Sequence, residues 1–240
     1  MTSADYPTMR TGEDYPGSVP RSEERARTIG RRRFGAGSLV AAGVWVAPSV
    51  IGLDRVAAAV HSAPYTTFYT EDFQGAIGGP DANWSSIATD VPPADPNRRF
   101  LGQFTNDTVT LSLANLPPHD CLCVEFDFFQ IQSWDGEHPT NGPDIFEVLV
   151  DGVLLFAESF AHDGQTSGQS FGPATNNPPG TGASEFGTLG YSFFGDGVYA
   201  LSICDIVHTS PTATITFQAD GLQAITDESW GIDNVVISTV

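Results

Sequence analysis

From residue 65 onward, apolar side chains recur at every second position in short runs, and the runs are separated by Gly, Pro, Asn and Asp. Residues 108–113 alternate strictly, which places Val109, Leu111 and Leu113 on one face, the mark of a half-buried antiparallel strand. Residues 121–132 form the longest run, with Leu122, Val124, Phe126 and Phe128 facing inward. Residues 144–150 and 153–160 flank Asp151-Gly152, a two-residue hairpin signal. Further strands are predicted over 65–73, 100–104, 198–207, 212–219 and 231–240. No stretch shows the helical period. About eight or nine short strands with turn signals between them predict an all-β, two-sheet antiparallel sandwich of jelly-roll type. Residues 163–190, rich in Gly, Ser, Thr, Asn and Pro, predict one long loop.

The first 34 residues lack this pattern and mix arginines with acids, a composition that buries too little apolar surface to offset ordering entropy. Arg31-Arg32-Arg33-Phe34, the uncharged residues 35–53 and the small run Ala57-Ala58-Ala59 resemble a twin-arginine export signal. Cleavage after Ala59 satisfies the small-residue rule, and a site near Ala63 is an alternative. A membrane anchor is the competing reading, because 19 uncharged residues nearly span a bilayer. The Gly and Ser content and the A-x-A run favour a cleaved signal, so the expectation is a 1–59 leader, a single 60–240 domain, secretion, and no lasting membrane span.

Beyond residue 59 only Arg98 and Arg99 are basic, against 23 carboxylates, for a net charge of −21. A phosphate backbone needs a positive footprint, so nucleic acid is excluded as a partner. Such acidity fits a cation-binding protein or a soluble secreted one. By strand parity Cys121, Cys123 and Cys204 all face outward. Cys204 can therefore bridge to one of the other two, or all three thiols stay unlinked.

Acidic residues gather at the two ends of the domain, in Thr70-Glu71-Asp72-Phe73 and in Asp227-Glu228-Ser229-Trp230-Gly231-Ile232-Asp233-Asn234. If the first and last strands are neighbours, Glu71 and Asp233 are the expected ligands of one Ca²⁺, completed by backbone carbonyls. Asp227 and Glu228 read as turn residues. A second group, Trp134-Asp135-Gly136-Glu137-His138 with Asp144, has two readings. It offers an aromatic platform and polar groups for a sugar, or Trp134 packs on Trp230 while Asp135 and Asp144 cap turns. In a third group, Glu125 and Asp127 match the start of an E-x-D-x-x-E glycosidase pattern. Its last position is Gln130, which cannot deliver the proton that retaining hydrolysis needs. Glu125 and Asp127 then line a polar face open to a ligand.

The acidic-Phe start and the Gly231-Ile232-Asp233-Asn234-Val235 ending resemble calcium-binding jelly rolls, including MAM-type domains and several carbohydrate-binding modules. Arg99-Phe100-Leu101-Gly102-Gln103-Phe104, Ser133-Trp134-Asp135-Gly136 and Gly142-Pro143-Asp144 resemble secreted bacterial jelly-roll domains over most of residues 68–240. That resemblance implies a structural Ca²⁺ and an extracellular or cell-surface carbohydrate as partner. The expectation is a non-catalytic binding module; a glycoside hydrolase or lyase on the same fold, or an adhesive surface protein, are the alternatives.

Overall fold

The computed structural model describes residues 63–162, 164–191 and 194–240, and the predicted 1–59 export segment lies outside them. Among the described residues there is no helix, and hence none long and apolar enough to cross a membrane. The strands are β1 (Thr66–Glu71), β2 (Ala82–Trp84), β3 (Thr89–Asp90), β4 (Phe100–Phe104), β5 (Thr108–Leu113), β6 (Cys121–Gln132), β7 (Ile145–Val150), β8 (Val153–Ser159), β9 (Glu185–Phe186), β10 (Asp196–Val207), β11 (Ala213–Asp220) and β12 (Glu228–Thr239). They form two antiparallel sheets, β3-β4-β12-β6-β10-β9 with β1 also on β12, and β2-β5-β11-β7-β8. The predicted sandwich is thus the fold; the chain crosses between the sheets from β4 through β7 and again from β10 through β12, while β7 and β8 form a hairpin within one sheet.

Alternation builds the core. Leu122, Val124, Phe126 and Phe128 of β6 face Phe146 and Val148 of β7 and Ile215 and Phe217 of β11, all buried. Phe128 stacks on Phe146 with ring centroids 4.1 Å apart, an arrangement that adds to plain area burial.

The first and last strands do lie side by side, with Glu71 opposite Val235. One edge of β12 is shared: Trp230 to Ile232 pair with β4 and the Val235 end pairs with β1. The ladder to β6 breaks between Asp233 and Val236, where Asn234 takes φ 50°. This bulge inserts an extra residue and resets strand parity.

The outer face of the larger sheet carries a second apolar cluster of Phe100, Phe129, Ile131, Leu189 and Val198, with Tyr191 packed against it. Strict alternation along β6 assigns Phe129 and Ile131 to the solvent side and so misses this layer. Arg98 lies over the Phe129 ring at 4.5 Å and binds Glu185 at 3.1 Å, Asp233 at 3.4 Å and Asp127 at 3.6 Å.

Cys123 and Cys204 form a disulfide, and Cys121 is buried outside it. The outward parity of both strands allowed this bridge. The register that sets Ile203 opposite Val124, just before the β10 bulge at Asp205, selects the partner.

The long loop is held by two buried amides. Gln169 Nε2 donates to the Phe171 and Thr181 carbonyls, and its Oε1 accepts from the Ala161 and Gly180 N–H groups. Asn177 similarly binds the Ser170 and Ala174 backbone. Gln169→Leu keeps the volume but strands several buried polar groups, and a loss of about 2–4 kcal/mol in denaturant titration is expected. A loss below about 1 kcal/mol would mean that water replaces the amide.

Candidate metal centre

The predicted pair Glu71 and Asp233 does not converge. Glu71 is opposite Val235, whose side chain is in the core, so Glu71 points to the inner side of the sheet. Its carboxylate accepts from Gly78 N at 2.8 Å, Tyr69 Oη at 3.0 Å and Phe73 N at 3.1 Å. Asp233 precedes the bulge, faces the opposite side and binds Arg98 and the Asn234 N–H. The bulge therefore separates the two carboxylates that simple parity brings together, and it corrects the expected site.

Three other carboxylates do meet. Asp135, Asp144 and Glu228 each bring an oxygen to within 4.8 Å of the other two, and all three are buried. Asp135 sits in the turn leaving β6, where Gln132 at φ 68° and Gly136 at φ 58° reverse the chain. Asp144 immediately precedes β7, after the cis Gly142-Pro143 bond. Glu228 is the first residue of β12. The Ser133 hydroxyl donates to Asp227 Oδ1 at 2.8 Å, and Ser133 N donates to the Asp227 carbonyl at 3.0 Å. These bonds lock the β6 exit against the β12 entry.

The hydrogen bonding of the trio is incomplete. Asp144 Oδ2 accepts from Asp135 N, Asp135 Oδ1 from Gln165 Nε2, and Glu228 Oε2 from Gln223 N at 2.7 Å. Asp144 Oδ1 and Glu228 Oε1 are buried with no partner among the described residues. Burial pushes Asp144 up to about 7, with the Asp135 charge adding to it. Burial likewise pushes Glu228 up to about 8, and the Asp144, Asp135 and Asp227 carboxylates reinforce the shift. Orphaned buried carboxylate oxygens are costly unless a cation or protons meet them. Both arginines among the described residues are engaged elsewhere: Arg98 as above, Arg99 on Thr89 at 3.1 Å.

The donor set fits a hard divalent cation. It is all oxygen, with neither imidazole nor thiolate to favour zinc. Gly221, at φ 94°, lies against the cluster, and a Cβ there would collide with the Pro143 carbonyl and come 3.2 Å from Asp144 Oδ1. The chain thus keeps side-chain bulk away from the unpartnered oxygen. Ca²⁺ takes six to eight oxygens at varied geometry, whereas Mg²⁺ sheds water reluctantly and suits a buried pocket less.

The remaining expected residues are placed as follows. Trp134 is fully buried, donates its indole N–H to the Ser229 carbonyl at 2.8 Å and meets Phe128 edge-on at 5.5 Å. It therefore offers no face to a sugar, which corrects its ligand assignment. Trp230 connects to it through Phe146 and Phe128 instead of by a direct ring contact. Asp135 and Asp144 are buried in the carboxylate cluster, which removes them from an open sugar surface. Glu228, read from sequence as a turn residue, is the third member. Its signal was present in Asp227-Glu228-Ser229, but only the fold shows which acid turns inward. Glu125 and Asp127 lie on the outer face of β6; Glu125 accepts from Ser202, and Asp127 binds Arg98 and Asn234. Gln130 is buried opposite Trp230, on the other face, so the glycosidase-like pattern does not assemble one site.

No protein-family model and no curated protein matches the chain. Among solved structures, the K3 adhesin domain of Lys-gingipain from Porphyromonas gingivalis W83 is 14% identical at TM-score 0.40, covering 72% of this chain and all of that one. The carbohydrate-binding module TmCBM27, described for mannan recognition, is 14% identical at TM-score 0.38, covering 74% of this chain and 99% of that one. A family 35 carbohydrate-binding module from Clostridium thermocellum is 10% identical at TM-score 0.32, covering 74% and 100%. Against larger proteins the chain spans a small part, 14% of latent PorU from Porphyromonas gingivalis and 20% of the glucuronidase BtGH115A. At these scores and identities the likenesses carry no argument about what the chain binds.

Proposed function

We propose that this chain is an exported, non-catalytic binding module whose sandwich is clamped by one Ca²⁺ at Asp135, Asp144 and Glu228. The observation that carries the reading is the pair of buried, unpartnered oxygens, Asp144 Oδ1 and Glu228 Oε1, within a cluster of three carboxylates. A cation there joins the β6 exit, the β7 entry and the β12 entry, and so ties both sheets together at one end. Isothermal titration of Ca²⁺ into EDTA-treated, buffer-exchanged protein tests it. Saturable binding at one site, lost in Asp144→Asn, supports the clamp; no heat and no change in melting temperature would remove it.

Extracellular glycan is the ligand class we assign to the module. On the outer face of the larger sheet lies an open cleft of about 840 Å³, lined in part by Asp90, Gln103, Gln132, Tyr191, Ile225 and Thr226, within the size range of ligand sites. Tyr191 supplies an aromatic body, and its hydroxyl and Gln103 both donate to Asp90 Oδ2. Neither arginine of the described residues lines the cleft, which favours a neutral, hydroxyl-rich ligand over an anionic one. Ile225 and Thr226 belong to the turn that ends at the metal-cluster residue Glu228. A glycan array probed with and without Ca²⁺ is expected to give calcium-dependent binding that Tyr191→Ala weakens at least tenfold. Silence on the array with binding to cells or proteins would instead favour an adhesive role.

A further inference from the structure

We infer that His119, His208 and Asp151 form a clip that closes fully only while the two rings share one proton more than two neutral imidazoles carry. His119 lies in the turn between β5 and β6, with Nδ1 2.6 Å from the Pro117 carbonyl. Its Nε2 is 2.7 Å from His208 Nδ1, and His208 Nε2 is 3.1 Å from Asp151 Oδ2. The ring planes lie within 16° of each other with centroids 5.0 Å apart, which is the spacing of rings joined edge to edge through that nitrogen–nitrogen contact. Both rings are nearly buried.

The proton count follows from what each partner is able to do. The Pro117 carbonyl and an ionised Asp151 carboxylate only accept. His119 Nδ1 and His208 Nε2 must then both carry hydrogen. The contact between the rings needs a third hydrogen, on one nitrogen or the other. Two neutral imidazoles hold two ring protons between them, so the closed clip holds one in excess, and Asp151 is its counter-charge.

The clip joins three separate segments. Asp151 sits at φ 49° in the β7–β8 turn and also accepts from Thr214 N at 2.8 Å through Oδ1. His208 follows β10, and its N–H donates to the Asp120 carbonyl at 3.0 Å. The other titratable groups nearby are Asp120, beside His119 in the chain; Asp205, which accepts from Tyr65 Oη; and the Cys121 thiol. Burial pushes that thiol up, with help from Asp205 and Asp120. Each of these adds negative charge or none, so none competes with the shared proton. Losing the proton sets a lone pair against an acceptor at one of the three contacts. Gaining a fourth sets two N–H groups against each other. The clip is therefore weakened on both sides of one pH window.

Long-range ¹H–¹⁵N spectra of the full chain count the ring protons directly, without any substitution. Three ring N–H groups over His119 and His208 within one pH window, with the two rings titrating together, are expected. Asp151→Asn removes the counter-charge and should lower the midpoint for loss of the shared proton. Two ring protons at every pH where the rings stay hydrogen-bonded, or independent titration of the two rings, would overturn the inference. So would an unmoved midpoint in a folded Asp151→Asn protein.

Discussion

Adding Ca²⁺ at a hundredfold excess over its Kd is expected to stabilise the EDTA-treated chain by about 3 kcal/mol, because an ion bound only to the native state contributes through mass action. For a domain of this size that corresponds to a rise in Tm of roughly 6–12 °C. The pH dependence is the sharper part of the prediction. In the metal-free protein Asp144 is raised to about 7 and Glu228 to about 8, chiefly by burial, whereas in the unfolded chain carboxyls titrate near about 4. Between about pH 4 and pH 8 the native state therefore binds more protons than the unfolded state, and stability falls as pH rises through that window. Ca²⁺ displaces those protons, so its stabilisation grows over the same range. Scanning calorimetry should thus show the EDTA-treated protein melting lower at pH 8 than at pH 5, with the largest calcium shift at pH 8. Asp144→Asn should abolish most of the calcium shift and flatten the metal-free pH dependence. A calcium shift that is the same at pH 5 and pH 8 would refute a site built from these carboxylates.

The second large effect is expected at Arg98. Its side chain is 18% exposed and its partner Asp233 only 3%, so truncation leaves a buried carboxylate without its cation. Even with Arg98 present, burial holds Asp233 up at about 6, against the opposing pull of the guanidinium. Removing one member of a buried pair costs about 3–5 kcal/mol, and here the Phe129 contact is lost as well. Arg98→Met is therefore expected to destabilise by that amount at pH 8. The loss should shrink towards pH 5, where Asp233 is protonated and no longer needs the charge. Arg98→Lys should recover only part of it, since an ammonium does not reproduce a guanidinium spread over three acids and a ring. A loss under about 1 kcal/mol at pH 8 would show that the outer apolar layer is held by Leu189 and Phe129 alone.

These two predictions share a cause. In a domain with 23 carboxylates and two arginines after residue 59, the buried Asp233 is met by one guanidinium on the outer face, and the buried trio by an external cation, as proposed. The cleft proposed for glycan is lined by Tyr191, which packs against the outer apolar cluster that includes Phe129, and by Ile225 and Thr226 of the turn that ends at Glu228. Calcium dependence of glycan binding is therefore expected without direct contact between ion and sugar.

What the sequence determined by itself is the sandwich. Alternation over 108–113 and 121–132 and the Asp151-Gly152 turn follow from local period and turn chemistry, which do not depend on distant residues; the adjacency of the first and last strands entered only as a condition, which the fold meets. The metal expectation from sequence fell on Glu71 and Asp233, at the 70–73 and 227–234 ends of the domain, while the acids of the 133–144 stretch read as sugar contacts or turn caps. Only the tertiary structure decided which acids meet. One inserted residue at Asn234 flips parity, sending Asp233 outward to Arg98 while Val235 returns to the core, and no pattern of polar and apolar letters reports a bulge. The same holds for Trp134, whose burial depends on Phe160 beyond the end of β8 and on the Ser229 carbonyl of β12, and for Phe129 and Ile131, covered by a loop some 60 residues later in the chain. Glu228 was visible as an acid at a strand entrance. That its oxygen lies unpartnered beside Asp144 is settled by the packing of two sheets, a contact set by the whole chain.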